Sequence, residues 1–190
     1  MNNVRETLKR LILERGVVRG KPIFISSTRM STFYFNLRPI LFSYEGSRLV
    51  AAVLLPLIKG LDIDCIGGTE DSSVPIVMSL CILSGYNGFY VREKAKKYGL
   101  QEQVEGNLGK RAVLVDDVAT SGLSLLNVAR IVRAKGCKAD HAVVIVDMLE
   151  GAKEKLASEG ISLNSVFTRE DFKDIASHEK TSSCNHEKKD

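Results

Sequence analysis

Apolar and polar positions along the chain fall into two regimes that meet near Gly46. Ahead of it, Val4, Leu8, Leu11 and Ile12 recur on one helical stripe that Gly16 ends. Ile23–Ile25 and Phe33–Leu37 then read as strands joined by the polar turn Ser26–Ser31. Beyond Gly46 the pattern becomes an alternation: helix through Leu49–Ile58, strand Ile63–Gly67, helix Val74–Leu83, strand Gly88–Arg92. After a polar stretch from Glu93 to Lys110 come strand Ala112–Val118, helix Leu123–Ala134 stopped by Gly136, and strand Ala142–Asp147. Helix Ala152–Ser158, ended by Gly160, and strand Ser162–Phe167 complete the series. The strands are almost wholly apolar, as strands covered on both faces should be, so the pattern predicts an α/β fold with a doubly wound parallel sheet. Three segments follow: a small N-terminal unit over 1–45, the α/β core over 46–176, and a polar, aperiodic tail over 177–190 that reads as disordered.

Composition narrows the class. At 190 residues, 44% hydrophobic and 26% charged, the chain suits one folded, soluble domain of roughly 100 to 200 residues. The formal charge of +4 is too small for an electrostatic grip on nucleic acid and points to small anionic ligands. Cys65, Cys81, Cys137 and Cys184 show no C-x-x-C spacing, and Met1–Arg15 is charged and helix-like rather than a signal peptide, so free thiols in the cytoplasm are expected. Leu49–Ile58 is about half the roughly 20 residues that span a bilayer, so no membrane association is expected. There is no GxxxxGK[ST] and no GxGxxG.

The densest chemistry lies in VLVDDVATSGLSLL, from Val113 to Leu126: an apolar strand, two adjacent carboxylates, small hydroxylic residues with Gly122, then a helix. Open α/β sheets bind ligands outside the carboxyl ends of their strands, where this segment places its polar residues. Backbone N–H groups of Ala119–Leu123 at a helix start make a phosphate nest, with Thr120, Ser121 and Ser124 adding hydroxyls. Asp116 and Asp117 would lie about a sugar's length away, suited to two vicinal ribose hydroxyls or to a metal-bound water beside them. Asp147 and Glu150 could cap the helix after Gly151 or touch a ligand. His141 begins a strand, and His178 and His186 lie in the tail beside Cys184; no zinc site is inferred from them.

VLVDDVATSG resembles the phosphoribosyl pyrophosphate (PRPP) signature of type I phosphoribosyltransferases. Other motifs, over about Leu8 to Phe172, narrow the resemblance to the orotate phosphoribosyltransferase family. FISSTRMSTFYFNLRP resembles its base-covering hood, IGGTEDSSVPIV its pyrophosphate loop, FYVREKAKKYGLQEQVEG its mobile catalytic loop, and VDMLEGAKEKL its base-side strand end. The resemblance implies a homodimeric, Mg²⁺-dependent transferase that moves phosphoribosyl from PRPP to a nucleobase, orotate in this family. It implies that Asp116, Asp117, Val118, Ala119, Thr120, Ser121, Gly122, Leu123 and Ser124 bind PRPP, with Asp116 and Asp117 facing the ribose and Mg²⁺. Arg92 would grip pyrophosphate, Lys96 would neutralise the leaving group in a neighbouring subunit, and Lys96 and Asp117 would be the catalytic pair. Thr69, Glu70, Asp71, Ser72 and Ser73 would form the pyrophosphate loop. Thr120, Tyr34, Phe35 and Met148 would meet the base, and Arg29 and Arg38 are further candidates for anion contact.

Four positions depart from the family pattern: Met148 stands for the usual arginine at the orotate carboxylate, Ser26 for the hood lysine, Glu93 for a loop lysine and Tyr98 for a loop histidine. Methionine cannot reproduce a bidentate guanidinium fork. Three readings stay open: an orotate enzyme with compensating contacts, a transferase for another base, and a PRPP sensor without turnover. Glu70 and Asp71 would repel a bare diphosphate, so the loop's contacts should come through backbone or Mg²⁺.

Overall fold

In a computed structural model the described residues are 2–24, 30–94 and 102–172. Their elements, in chain order, are helix α1 (Asn2–Arg15), strands β1 (Val17–Phe24) and β2 (Met30–Phe35), helices α2 (Arg38–Leu41) and α3 (Tyr44–Ile58), β3 (Cys65–Thr69), α4 (Ser73–Ser84), β4 (Asn87–Val91), β5 (Val104–Gly106), β6 (Arg111–Ala119), α5 (Leu123–Ala134), β7 (Lys138–Asp147), α6 (Ala152–Ala157), β8 (Ser162–Thr168) and a 3-10 turn (Arg169–Phe172).

The central sheet has six strands in the order β5-β4-β3-β6-β7-β8. Every neighbouring pair is parallel except β4–β5. Leaving out the antiparallel edge, the chain order runs outward in both directions from between β3 and β6, and that reversal is a topological switch point. The all-apolar strand centres meet the expectation of two-sided cover: Val113, Leu114 and Val115 of β6 and Val143, Val144 and Ile145 of β7 are fully buried. Two glycines on β3 exist for packing. A Cβ at Gly67 would lie 2.1 Å from the Phe89 ring, and one at Gly68 would lie 2.4 Å from both Ser73 Cβ and the Val115 carbonyl.

The boundary drawn at 45/46 falls inside α3. Gly46 marks a close crossing rather than a linker, since a Cβ there would sit 2.1 Å from the Ile40 carbonyl oxygen. Leu8, Ile12, Phe35 and Ile40 share one buried cluster with Leu54, Ile66, Ile145 and Phe167, so α1 and α2 are part of the core. Only the β1–β2 ribbon forms a separate two-stranded sheet. It is tied to the far end of the chain by Phe35, whose ring meets Phe172 edge-on at 5.0 Å, with Phe172 against Phe167 at 5.4 Å. Arg5 closes the same corner: its guanidinium lies 4.5 Å from the Phe167 ring centroid and 2.7 Å from Asp171.

The polar stretch 93–110 contains an edge strand, β5, and β7 starts four residues earlier than its apolar run. Two short elements, α2 and the terminal 3-10 turn, go beyond the expected pattern. The tail, 177–190, lies outside the described residues, as do Ser26, Arg29, Lys96 and Tyr98. Among the described residues no helix is long and apolar enough to cross a membrane.

Candidate active site

The switch point places the loop after β3 beside the loop after β6, and side chains of the two are joined. The buried Ser73 hydroxyl donates to Asp116 Oδ1 at 3.0 Å, and Ser72 Oγ donates to the same oxygen at 3.2 Å. Asp117 contributes its backbone N–H to that oxygen, also at 3.0 Å. Ser73 Oγ in turn accepts from Thr69 N–H at 3.2 Å and lies 3.0 Å from Thr69 Oγ1. With its proton committed to Asp116, Ser73 has two lone pairs for these two contacts, which leaves Thr69 Oγ1 as the donor. One carboxylate oxygen thus fastens the 69–73 loop to β6.

Asp116 is only 6% exposed, and burial, followed by the adjacent charge of Asp117, pushes its carboxyl up to about 7. Burial also raises Asp117, although the Val118 N–H donates to its Oδ1 at 2.9 Å and Arg38 contributes positive potential. Each carboxylate is hydrogen-bonded, yet among the described residues the pair lacks a full countercharge. A divalent cation relieves that condition. Among the described residues no group of three or more His, Cys, Asp or Glu could hold a metal by itself. Two carboxylates are the usual protein share of a Mg²⁺ site completed by phosphate oxygens and water.

Past Asp117 the chain turns at Gly122, in the left-handed region with φ 75, and enters α5 without any side chain capping its first turn. Thr120, Ser121, Leu123 and Ser124 are exposed around these N–H groups, while Val118 and Ala119 carry the strand up to them. A Cβ on Gly122 would crowd Ala152 of α6 at 3.2 Å, so glycine serves both the turn and the packing. Met148 N–H donates to the Ala119 carbonyl at 2.9 Å, setting the β7 end beside this nest. Its half-buried side chain packs on the core cluster. Asp147 does not cap α6: its Oδ1 accepts the Leu149 N–H at 2.9 Å and holds Leu149 at φ 56. Leu149 and Asp71 (φ 69) are the non-glycine residues with positive φ among those described, and both lie on loops at the carboxyl edge of the sheet.

On the other flank Arg92 leaves β4 with its Nε 3.1 Å from Glu105, its Nη2 3.0 Å from Tyr90 Oη, and its Nη1 3.7 Å from Glu70. Glu70 also accepts the Glu93 N–H at 2.8 Å, and Asp71 lies 3.8 Å from Arg38. Tyr90 and Glu105 were not foreseen: Tyr90 lies on β4 two residues before Arg92, and Glu105 reaches Arg92 from the antiparallel neighbour β5. Of the two hood aromatics, Tyr34 is exposed and open to a ligand. Phe35 faces the opposite way, 4% exposed against Phe172, because successive strand residues alternate faces.

Residues 82–175 match the family model described as phosphoribosyl transferase domain. The orotate phosphoribosyltransferase of Methanopyrus kandleri is 34% identical over 178 residues, 93% of this chain and 96% of that protein. The chain belongs to the orotate phosphoribosyltransferase family. Among solved structures, the orotate phosphoribosyltransferase of Aeropyrum pernix superposes with a TM-score of 0.78 at 30% identity, covering 91% of this chain and 98% of that one. The Mycobacterium tuberculosis enzyme, solved in complex with PRPP, gives 0.76 at 26% identity over 90% of this chain and 99% of that one. The mixed α/β architecture with its mostly parallel central sheet is shared with these structures.

Proposed function

We propose that the protein transfers the 5-phosphoribosyl group of PRPP to orotate, giving orotidine 5'-phosphate and pyrophosphate in pyrimidine nucleotide synthesis. The observation that carries this reading is the joining of the Asp116–Asp117 pair to the 69–73 loop at the switch point, beside an uncapped helix start. Family membership and the PRPP bound by the Mycobacterium tuberculosis relative support it.

The reaction is displacement at the anomeric carbon, where the base nitrogen attacks and diphosphate departs. Positive charge develops on the sugar and negative charge on the leaving group, so the chain's work is positioning and charge neutralisation. The N–H groups of 119–123 and the hydroxyls of Thr120, Ser121 and Ser124 hold the 5-phosphate. Asp116 and Asp117 accept the ribose hydroxyls and would hold Mg²⁺, through water or those hydroxyls. Bound there, Mg²⁺ supplies charge neutralisation on the diphosphate. With the Thr69 and Glu70 N–H groups bound to Ser73 Oγ and the Val91 carbonyl, the loop meets the diphosphate through the backbone N–H groups of 71–73, Arg92 grips it, and Lys96 reaches the leaving group. Thr120 and Met148 border the base, and Tyr34 covers it from the hood.

Lys96 acting in a neighbouring subunit requires a homodimer. The exposed apolar side chains of α4, Met78, Ile82 and Leu83, support such a contact, as do Phe42 (72% exposed) and Tyr44 (84%). The free thiols of Cys65, Cys81 and Cys137 fit a reducing cytoplasm.

The test is pyrophosphate release from Mg·PRPP with orotate against uracil, xanthine, hypoxanthine and adenine. Release with orotate alone is expected, and turnover with a different base, or with none, would overturn the assignment.

A further inference from the structure

The carboxylate of Glu70 lies where the chain would otherwise offer an anion its best donors. Its backbone N–H is fixed to the Val91 carbonyl at 3.0 Å, so the residue is anchored at the end of β4. From there Oε1 accepts the Glu93 N–H at 2.8 Å and Oε2 approaches Arg92 Nη1 at 3.7 Å. The opposite edge of that guanidinium is already held, at 3.1 Å by Glu105 and at 3.0 Å by Tyr90 Oη, with the Tyr90 ring centroid 5.5 Å away. Arg92 therefore has a full partner without Glu70. Fixing the arginine does not require a second carboxylate, which leaves excess negative charge around one guanidinium. Asp71 repeats the arrangement more loosely, 3.8 Å from Arg38 on the other side of the loop. Two consecutive carboxylates thus reach for two arginines across a loop of diphosphate-binding type.

We propose that Glu70 is an internal competitor for the diphosphate: it occupies Arg92 and the Glu93 N–H in the empty site, is displaced when PRPP binds, and reclaims them to expel pyrophosphate. This rests on the reading of Arg92 as a diphosphate contact. Glu70 is then a positioning residue that keeps product affinity low, and the loop's acidic character, at odds with simple anion binding, has a use.

The experiment measures inorganic pyrophosphate binding by calorimetry to wild type, Glu70→Gln, Arg92→Ala and the double variant, with product inhibition by pyrophosphate alongside. Glutamine keeps the acceptor for the Glu93 N–H and removes only the charge. Glu70→Gln is expected to tighten pyrophosphate about fivefold, the upper end of what a partly exposed pair is worth, and to strengthen product inhibition equally. In the Arg92→Ala background that gain should vanish, because the competition is for Arg92. A gain of equal size in both backgrounds would show general repulsion and overturn the proposal, as would no gain in either. Arg92→Ala binding pyrophosphate as tightly as wild type would overturn the reading of Arg92 itself, and the proposal with it.

Discussion

The two ends of the central sheet treat the same side chain in opposite ways. At the amino end, Asp64 precedes β3, and its oxygens accept the backbone N–H groups of Arg111 at 3.0 Å and Lys110 at 3.2 Å. The Arg111 hydrogen bond, outweighing desolvation, holds the Asp64 carboxyl below its ordinary value. Beside it the Cys65 thiol, pushed up to about 12 by burial, is inert and accepts the Gly109 N–H at 3.2 Å. At the carboxyl end, Asp116 and Asp117 on the neighbouring strand are both raised, by burial foremost. One end ties strands together with an acid content to be charged; the other holds two acids raised by burial and short of countercharge among the described residues. Stability is built at the first and given up at the second, the division expected where binding demands strained or uncompensated groups.

The contrast can be broken by substitution. The largest effect is expected at Lys96: replacement by alanine should lower kcat about a hundredfold or more with PRPP affinity largely kept, as the proposed action on the departing charge requires. Steady-state kinetics with a separate binding isotherm checks this, and an unchanged kcat removes the 93–101 loop from the mechanism. Ser73→Ala removes the buried hydroxyl that fastens the 69–73 loop to Asp116. Loss of a hydrogen bond to a carboxylate should cost about tenfold in kcat/KM for PRPP. A wild-type value would mean that the Ser72 contact suffices.

The smallest effect belongs to the amino end. Asn at position 64 turns an N–H group toward one of the two backbone donors, so Asp64→Asn should lower stability by about 1 kcal/mol, or Tm by about 3 °C, with kcat/KM unchanged. Because the folded-state pKa is depressed, the contribution of Asp64 is fully present above the ordinary carboxylate value of 3.8 and is lost as pH falls through the folded value. Thermal melts of the two proteins should therefore differ at pH 7, begin to approach each other only as pH falls past 3.8, and converge once it is below the depressed folded value. A difference that persists in acid would assign the effect to packing instead.

The carboxyl-end side of this contrast was legible in the sequence, whereas nothing there singled out Asp64. Helix Leu123–Ala134 agrees with its apolar periodicity at both ends, and the run of β6 into Asp116 and Asp117 follows from an apolar strand that ends in a polar cluster. The elements missed were short or polar. Val104–Gly106 pairs with one neighbour at the sheet edge and carries no apolar run, and Lys138–His141 extends β7 through half-polar positions at its exposed start. Partnership across the sequence was the other blind spot. That Phe35 turns to Phe172, and Glu70 to Arg92, depends on strand facing and loop approach, which a linear pattern does not encode. Glu70 and Asp71 were recognisable as out of place in an anion loop, but nothing in the sequence named Arg92 and Arg38 as their partners.

The most direct test of the division between the two ends is the double variant Asp116→Asn/Asp117→Asn, with Mg·PRPP binding measured by calorimetry and unfolding followed in metal-free buffer at pH 7.5. Both asparagines keep an acceptor for the Ser72, Ser73 and backbone donors while removing the uncompensated charge. Binding is expected to fall by at least about a hundredfold while Tm holds or rises by about 3 °C. Binding retained, or a Tm that falls with the charge removed, would contradict the assignment of the carboxyl end to the ligand.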